Sequence, residues 1–166
     1  MQQPLWAPWR MAFIEQPKPT GCIFCDFPAE EGEEAERRNL LVHRGPRSVT
    51  LLNKFPYNSG HVMVIPRAHV ASLEALARED FADLHEELQR AVQVVRDVYR
   101  PEGMNVGMNL GKVAGAGIAD HLHYHVVPRW GGDTNFMPVL ADTRVMVEHL
   151  DQSWAKLHDG FRARFD

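Results

Sequence analysis

The chain has 166 residues, enough for one domain with a sizeable core. Its 18 basic and 22 acidic residues give a net charge of −4, which argues against non-specific nucleic-acid binding because such binding needs a basic surface. There is no run of about 18 apolar residues, so no membrane span is expected. The N-terminal residues carry prolines and charges where a signal peptide has an apolar core, so we expect a cytoplasmic protein.

The first quarter of the chain reads as an arm followed by a cysteine motif. Residues 1–20 are rich in proline and tryptophan without a helical or strand period, and we expect an arm that packs on another surface, such as a second subunit. Cys22 and Cys25 form the motif "CIFC". In a reducing compartment this spacing favours metal binding or redox chemistry over a structural disulfide. The acidic stretch "PAEEGEEAERRN" is predicted to be an exposed loop.

Short apolar runs and one long helical period predict the fold class. Residues 40–43, 48–53 and 60–65 are separated by the turn sequences "RGPR" and "PYNSG" and read as a strand meander. Residues 72–99 carry an apolar stripe at helical spacing. The stripe consists of Leu84, Leu88, Ala91, Val92, Val95 and Tyr99. Since strands are grouped and helices stand apart, we predict an α+β fold with an antiparallel sheet.

The last third of the chain continues this pattern. "MNVGMNL" reads as a strand, "GKVAGAGIAD" as a glycine-rich loop and "HLHYHVVP" as the next strand. The apolar residues from Leu150 to Phe161 suit a final amphipathic helix.

Three histidines alternate in "HLHYHVV", so His121, His123 and His125 would line one face of a strand. Burying three imidazoles is costly unless each finds a partner. One interpretation is a metal site, since histidine is the commonest metal ligand. The other is nucleophilic catalysis: a neutral imidazole can attack phosphorus, and a second one roughly 6.6 Å along the strand can reach the leaving oxygen. Spacing alone does not choose between them. The remaining histidines at 43, 85, 149 and 158 are expected to be structural.

The triad resembles the pattern that names the histidine triad (HIT) superfamily of nucleotide hydrolases and transferases. "LLNKFPYNSGHVMVIPRAH" and "MNLGKVAGAGIAD" resemble earlier family segments in the same order, so the resemblance covers roughly residues 20–130. "LWAPWRM" and "HVVPRWGGD" look like the bacterial branch related to diadenosine tetraphosphate phosphorylases and hydrolases. The resemblance implies a HIT-like fold: an antiparallel meander sheet with one long helix and a C-terminal helix. We expect an arm (1–20), a HIT domain (21–140) and a C-terminal extension (141–166) packed on it.

The resemblance also implies catalytic roles. His123 would attack the α-phosphorus of a nucleotide and form a nucleotidyl-histidine. Water or phosphate would then cleave this intermediate and release the nucleotide. His125 would contact phosphate oxygens and help to protonate the leaving group. The carbonyl of His121 would accept a hydrogen bond from the nucleophile, and His61 would support the triad from behind.

A further set of residues matches nucleotide contacts of the family. Leu51 would lie near the base and Asn53 would hold the ribose, although an Asn there is equally well explained as a turn residue. The glycine-rich loop is also consistent with a flexible hairpin connection. Gly117 stands where well-known members carry Ser or Gln, which leaves the preference for water or phosphate open. The full set is Leu51, Asn53, Asn109, Gly115, Ala116, Gly117 and Trp130, the last with base stacking, a subunit contact or core packing as alternatives.

The resemblance to zinc-carrying relatives of the family implies that the first histidine of the triad also binds a metal. Cys22, Cys25, His69 and His121 would form a closed tetrahedral structural zinc site. The alternative is reduced, metal-free cysteines. No organic cofactor is implied, and family members are generally homodimers.

The expected function is a nucleotidyl hydrolase or transferase that acts on a dinucleoside polyphosphate, with diadenosine tetraphosphate as the first substrate to test, or on a nucleoside phosphate derivative. Two other hypotheses stay open: a nucleotide-binding regulatory or scaffold protein whose catalysis is incidental, and a tri-histidine metalloenzyme.

Overall fold

One antiparallel sheet of five strands forms the centre of the molecule. The computed structural model describes residues 21–133 and 146–165. The predicted N-terminal arm, residues 134–140 of the predicted domain, and residues 141–145 and 166 of the predicted extension lie outside the described residues. The strands lie in the order β1-β2-β3-β5-β4. They are β1 (Leu41–Arg44), β2 (Ser48–Leu52), β3 (Val62–Pro66), β4 (Gly103–Gly107) and β5 (Tyr124–Arg129). The predicted mixture of helices with an antiparallel sheet is confirmed, with β5 inserted between β3 and the edge strand β4.

Two long helices cover one face of this sheet. The helices are α1 (Ile23–Asp26), α2 (Glu33–Arg38), α3 (Arg78–Tyr99) and α4 (Leu150–Phe165). The predicted stripe of α3 is confirmed, because Leu84, Ala91 and Val95 are fully buried against the sheet. From α4, Trp154 packs into the same core and its indole N–H donates to the carbonyl of Leu41 at 2.7 Å. No helix in the two described ranges is long and apolar enough to cross a membrane.

The strand register fixes which side chains face away from α3. Leu51 pairs with Met63, Met63 with His125, and His125 with Gly107, so these four residues form a row across the sheet. Tyr124 points to the opposite face, where it joins the core beneath α3. The predicted alternation is therefore confirmed, and the histidines lie on the face that the long helices leave open.

Two predicted boundaries are wrong. The triad strand does not begin at His121, because the β5 ladder starts at Tyr124. Its neighbour β3 ends at Pro66, which has no N–H to donate to a longer ladder. The strand predicted for "MNVGMNL" likewise ends at Gly107.

The acidic stretch predicted as a loop contains helix α2. Its first turn carries glutamates and its last turn carries Arg37 and Arg38. This order matches the helix dipole, which favours acidic groups at the N-terminus and basic groups at the C-terminus. Helical charge order, rather than an apolar stripe, is the signal that the sequence offered here.

Candidate active site

The hydrogen bond of His123 identifies which of its nitrogens is free. Its Nδ1 lies 2.9 Å from the carbonyl oxygen of His121. Because a carbonyl only accepts, Nδ1 carries the hydrogen and Nε2 keeps a lone pair. His123 is 5% exposed, and the centre of its ring lies 5.0 Å from that of Phe24. Burial lowers the pKa of His123, so the ring stays neutral and nucleophilic at pH 7.

A relay of hydrogen bonds gives His125 the opposite tautomer. The backbone N–H of Tyr57 donates to Nδ1 of His61 at 3.1 Å, so Nε2 of His61 carries the hydrogen. That Nε2–H donates to Nδ1 of His125 at 2.9 Å. His125 therefore presents an Nε2–H on its far side. Asn53 Nδ2 also lies 3.5 Å from Nε2 of His61, but both atoms carry hydrogens in this tautomer, so the amide does not compete for the bond to His125.

Burial keeps both members of this relay neutral. Desolvation, followed by the neighbouring His125 and His123, lowers the pKa of His61 to about 3. Desolvation and then His123 lower the pKa of His125 to about 4. The rings of His123 and His125 are 5.0 Å apart. A single phosphate group between them would meet a lone pair from one ring and an N–H from the other.

The four predicted zinc ligands come together at the opposite end of the triad. The ligand atoms of Cys22, Cys25, His69 and His121 all lie within 4.8 Å of one another. Sγ of Cys22 is 3.3 Å and Sγ of Cys25 is 3.5 Å from Nδ1 of His121. Tetrahedral zinc with ordinary bond lengths places sulfur and nitrogen ligands about 3.5 Å apart, so the donor set fits this metal.

The hydrogen bond of His121 orients its ring for a metal. Nε2 of His121 lies 2.8 Å from the carbonyl of Pro66 and therefore carries the hydrogen. Nδ1 is left with its lone pair directed at the two cysteines, as metal-ligating histidines require. Within the described ranges the group able to hold a metal includes neither His123 nor His125, so the arrangement does not support a tri-histidine metal site.

The residues predicted to contact a nucleotide occupy two places. Leu51 is buried beside Met63 and Ile118 on the open face. Asn53 follows β2, and its Oδ1 accepts from the N–H of Phe55 at 2.9 Å, so it also serves as the turn residue considered above. Asn109 lies on the other side of His125, on the wall of a cavity.

The glycine-rich loop uses part of its backbone internally. Gly115 adopts a left-handed φ of +95°. Its N–H donates to the carbonyl of Lys112, and the N–H of Ala116 donates to that of Gly111. Of the three predicted loop residues, Gly117 is the one with no backbone bond of this kind among the described contacts. Trp130 packs 6.4 Å from the ring of Tyr99 and does not line the cavity.

The family model of the HIT domain matches residues 34–132. The chain belongs to the HIT domain family. An AP-4-A phosphorylase of Mycobacterium tuberculosis is 41% identical over 153 residues, which cover 89% of this chain and 78% of that protein.

Solved structures of HIT proteins share the fold. A hypothetical histidine triad nucleotide-binding protein from Sulfolobus tokodaii superposes with a TM-score of 0.66 at 24% identity, covering 86% of this chain and 93% of that chain. A Zn-bound histidine triad family protein from Mycobacterium smegmatis gives a TM-score of 0.65 at 24% identity, covering 86% and 94%.

Three residues that contribute to the site were not predicted from the sequence. Tyr57 supplies the amide that sets the tautomer of His61, and its ring stacks on His61 at 5.1 Å. Phe24 packs against His123 from the cysteine segment. Arg129 was also missed, although continuing the alternation of the triad strand from His125 places it on the same face.

Proposed function

We propose that the protein is a nucleotidyl hydrolase or transferase that cleaves dinucleoside polyphosphates at the α-phosphate, with diadenosine tetraphosphate as substrate. The named activity of the Mycobacterium tuberculosis relative supports the substrate class. The opposite tautomers of His123 and His125 carry the mechanism, because they supply a nucleophile and a hydrogen-bond donor to one phosphate.

In the first step Nε2 of His123 attacks the α-phosphorus. A nitrogen–phosphorus bond forms and the bond to the bridging oxygen breaks, so the outgoing polyphosphate leaves with that electron pair. The Nε2–H of His125 donates to the phosphate oxygens as this charge develops. Because the pKa of His125 is near 4, the ring acts at pH 7 as a neutral donor, and a polyphosphate leaves as an anion without full proton transfer.

The nucleotidyl-histidine that results carries a positive charge on its ring. The Nδ1–H of that ring still donates to the carbonyl of His121, which stabilises the charge. Water or inorganic phosphate then attacks the phosphorus, the nitrogen–phosphorus bond breaks, and Nε2 recovers its lone pair. When water attacks, its proton passes to the solvent. We assign the base to the apolar surface around Leu51 and the ribose to Asn53, on the β2 side of the nucleophile.

We also propose a structural zinc held by Cys22, Cys25, His69 and His121. The fit of the donor distances supports it, as does the Zn-bound fold neighbour. When bound, the metal would pin α1 and its Phe24 against the nucleophile's ring. The test is metal analysis of purified protein: we expect one zinc per chain, lost in Cys22→Ser. Zinc absent from the wild type would contradict the site.

The proposed setting is a cytoplasmic homodimer. Cys22 and Cys25 form no disulfide, and unbridged cysteines persist in a reducing compartment. Edge strand β4 is largely exposed, and among the described residues no strand pairs with its outer edge, which could therefore pair with a second copy.

Product analysis tests the proposed activity. The protein is incubated with diadenosine tetraphosphate, with and without inorganic phosphate, and the nucleotides are separated. ATP plus AMP indicates hydrolysis, and ATP plus ADP indicates phosphorolysis. Tight binding of the substrate without turnover would contradict the enzyme and favour a nucleotide-binding regulatory protein.

A further inference from the structure

A cavity of about 470 Å³ opens beside His125. This volume is in the range of pockets that hold small organic ligands, roughly 300–1,000 Å³. Strand alternation places His125, Val127 and Arg129 on one face of β5, and β4 pairs Gly107 with His125 and Asn105 with Val127. None of the described residues lies within 4 Å of a Cβ built at Gly107, so they leave the floor of the cavity open there. The cavity thus runs from the catalytic histidine along β5 toward Arg129.

Arg129 is held rigidly at the far end of this cavity. Its Nε donates to Asp133 at 2.6 Å and its Nη2 to the other oxygen of the same carboxylate at 3.1 Å. Its Nη1 donates to Oδ1 of Asn105 at 2.9 Å. Asn58 fixes Asp133 in turn, with Nδ2 at 2.8 Å from the carboxylate. The guanidinium pulls the pKa of Asp133 well below its usual range, so the pair stays ionised.

This clamp leaves donors for a ligand. Each terminal nitrogen of Arg129 has two hydrogens and spends one of them on the described contacts. The side chain is 48% exposed, so the remaining N–H groups are accessible. Of the described residues that line the cavity, Arg129 is the one with a positive charge. Planar, pre-oriented N–H groups of this kind suit phosphate oxygens.

The position of the cavity relative to the nucleophile indicates which half of a substrate it receives. Leu51 lies on the β2 side of His125, and the cavity lies on the β4 side. His125, which faces the departing oxygen in the proposed reaction, lines the cavity, whereas His123 does not. A substrate whose first nucleoside rests near Leu51 therefore extends its outgoing half into the cavity.

We propose that Arg129, clamped by Asp133 and Asn105, forms a subsite for the outgoing phosphates of a dinucleoside polyphosphate, an inference that rests on the proposed function. The Cα atoms of His125 and Arg129 are four strand residues, or roughly 13 Å, apart, which spans several phosphate groups. The subsite then selects substrates with a polyphosphate leaving group over adenylates with a small one.

The test compares two substrates that yield the same adenylyl-histidine, diadenosine tetraphosphate and adenosine 5′-phosphoramidate. Arg129→Gln is expected to lower the ratio of kcat/KM for the first to that for the second by about tenfold or more, the effect of losing a charged hydrogen bond. Arg129→Lys, which keeps the charge without the fork, should give a smaller loss. Arg164→Gln is the matched control, since Arg164 pairs with Asp97 away from the site and the ratio should not change.

Binding gives a second readout that does not depend on turnover. In a His123→Ala background, Arg129→Gln should weaken binding of diadenosine tetraphosphate about tenfold and leave binding of AMP within twofold. This titration needs no catalysis, so it tests Arg129 even if the wild type turns over neither substrate. Absence of turnover in the wild type would contradict the proposed function and not the subsite.

Three outcomes would overturn the subsite. Equal losses for both substrates would show that Arg129 only supports the fold of the site, and a melting temperature lowered by the substitution would accompany that result. An unchanged ratio together with unchanged binding would show that Arg129 makes no contact. If the only change were a higher KM for inorganic phosphate, with either adenylyl donor, the cavity would bind the attacking phosphate instead of the leaving group.

Discussion

The two faces of the sheet bury ionisable side chains in opposite ways. Beneath α3, Glu87 is 1% exposed and accepts hydrogen bonds from Oγ1 of Thr50 at 2.5 Å and from Nδ1 of His43 at 2.8 Å. On the other face His61 and His123 are equally buried, yet their partners are backbone groups and other imidazoles. Within the described ranges no carboxylate hydrogen-bonds to His61 or to any of the triad histidines.

This difference separates side chains that stabilise the fold from side chains that are proposed to react with a substrate. Burial without a neighbouring carboxylate favours the neutral imidazole ring. The α3 face uses its acid to satisfy polar groups inside the core. On the open face no described carboxylate bonds to the histidines, so Nε2 of His123 keeps a lone pair and Nε2 of His125 keeps its hydrogen.

The largest expected effect comes from exchanging one histidine on each face. His123→Ala should lower turnover of diadenosine tetraphosphate by at least about 10⁴-fold, because the substitution removes the proposed nucleophile. His43→Ala should instead lower the free energy of unfolding and change turnover of the folded protein only a few-fold. Steady-state kinetics and urea unfolding of both variants measure the contrast. Wild-type cleavage by His123→Ala would remove the nucleophile assignment.

The buried acid offers a second test of the contrast. Glu87→Gln should cost about 2 kcal/mol of unfolding free energy, because charged hydrogen bonds to Thr50 and His43 are weakened in the core. Turnover per folded molecule should change less than about twofold. Glu86→Gln, at the exposed neighbouring position, is the control and should stay within about 0.5 kcal/mol of the wild type. Catalysis lost with Glu87→Gln in a stably folded protein would show that the two faces are coupled.

The smallest effect is a pH dependence of stability. The pKa of His61 is about 3 in the folded protein, below its ordinary value of 6.5. As pH falls below 6.5, the unfolded chain binds a proton that the folded chain refuses, so the free energy of unfolding decreases by about 1 kcal/mol per pH unit from this residue. Urea unfolding between pH 7 and 5, where most carboxylates are still ionised, measures the slope. In His61→Asn the slope should be shallower; an identical slope would contradict the buried neutral ring.

Much of the site could be predicted because its pattern is local. A period of two places His121, His123 and His125 on one face, and the structure keeps that face even though the strand ladder begins only at Tyr124. The hydrogen bond from His123 to the carbonyl of His121 was expected from the family resemblance. The tautomer of His125 could not be predicted, because it depends on the amide of Tyr57, which the turn between β2 and β3 brings to His61.

Helix α2 and the cavity show two other limits of sequence reasoning. The predicted loop is helical because its charges follow the helix dipole, a signal weaker than an apolar stripe. Arg129 was visible as the continuation of an alternating strand, but its importance depends on Asn105 from β4, which only the strand register brings next to it.

His121 has two proposed roles, one for its side chain and one for its backbone carbonyl. Its side chain faces the cysteines, while the atom that orients His123 belongs to the main chain. No point substitution can delete a main-chain oxygen. A substitution of His121 should therefore remove the proposed metal ligand and keep the proposed nucleophile oriented, so the two properties are genetically separable although they share a single codon.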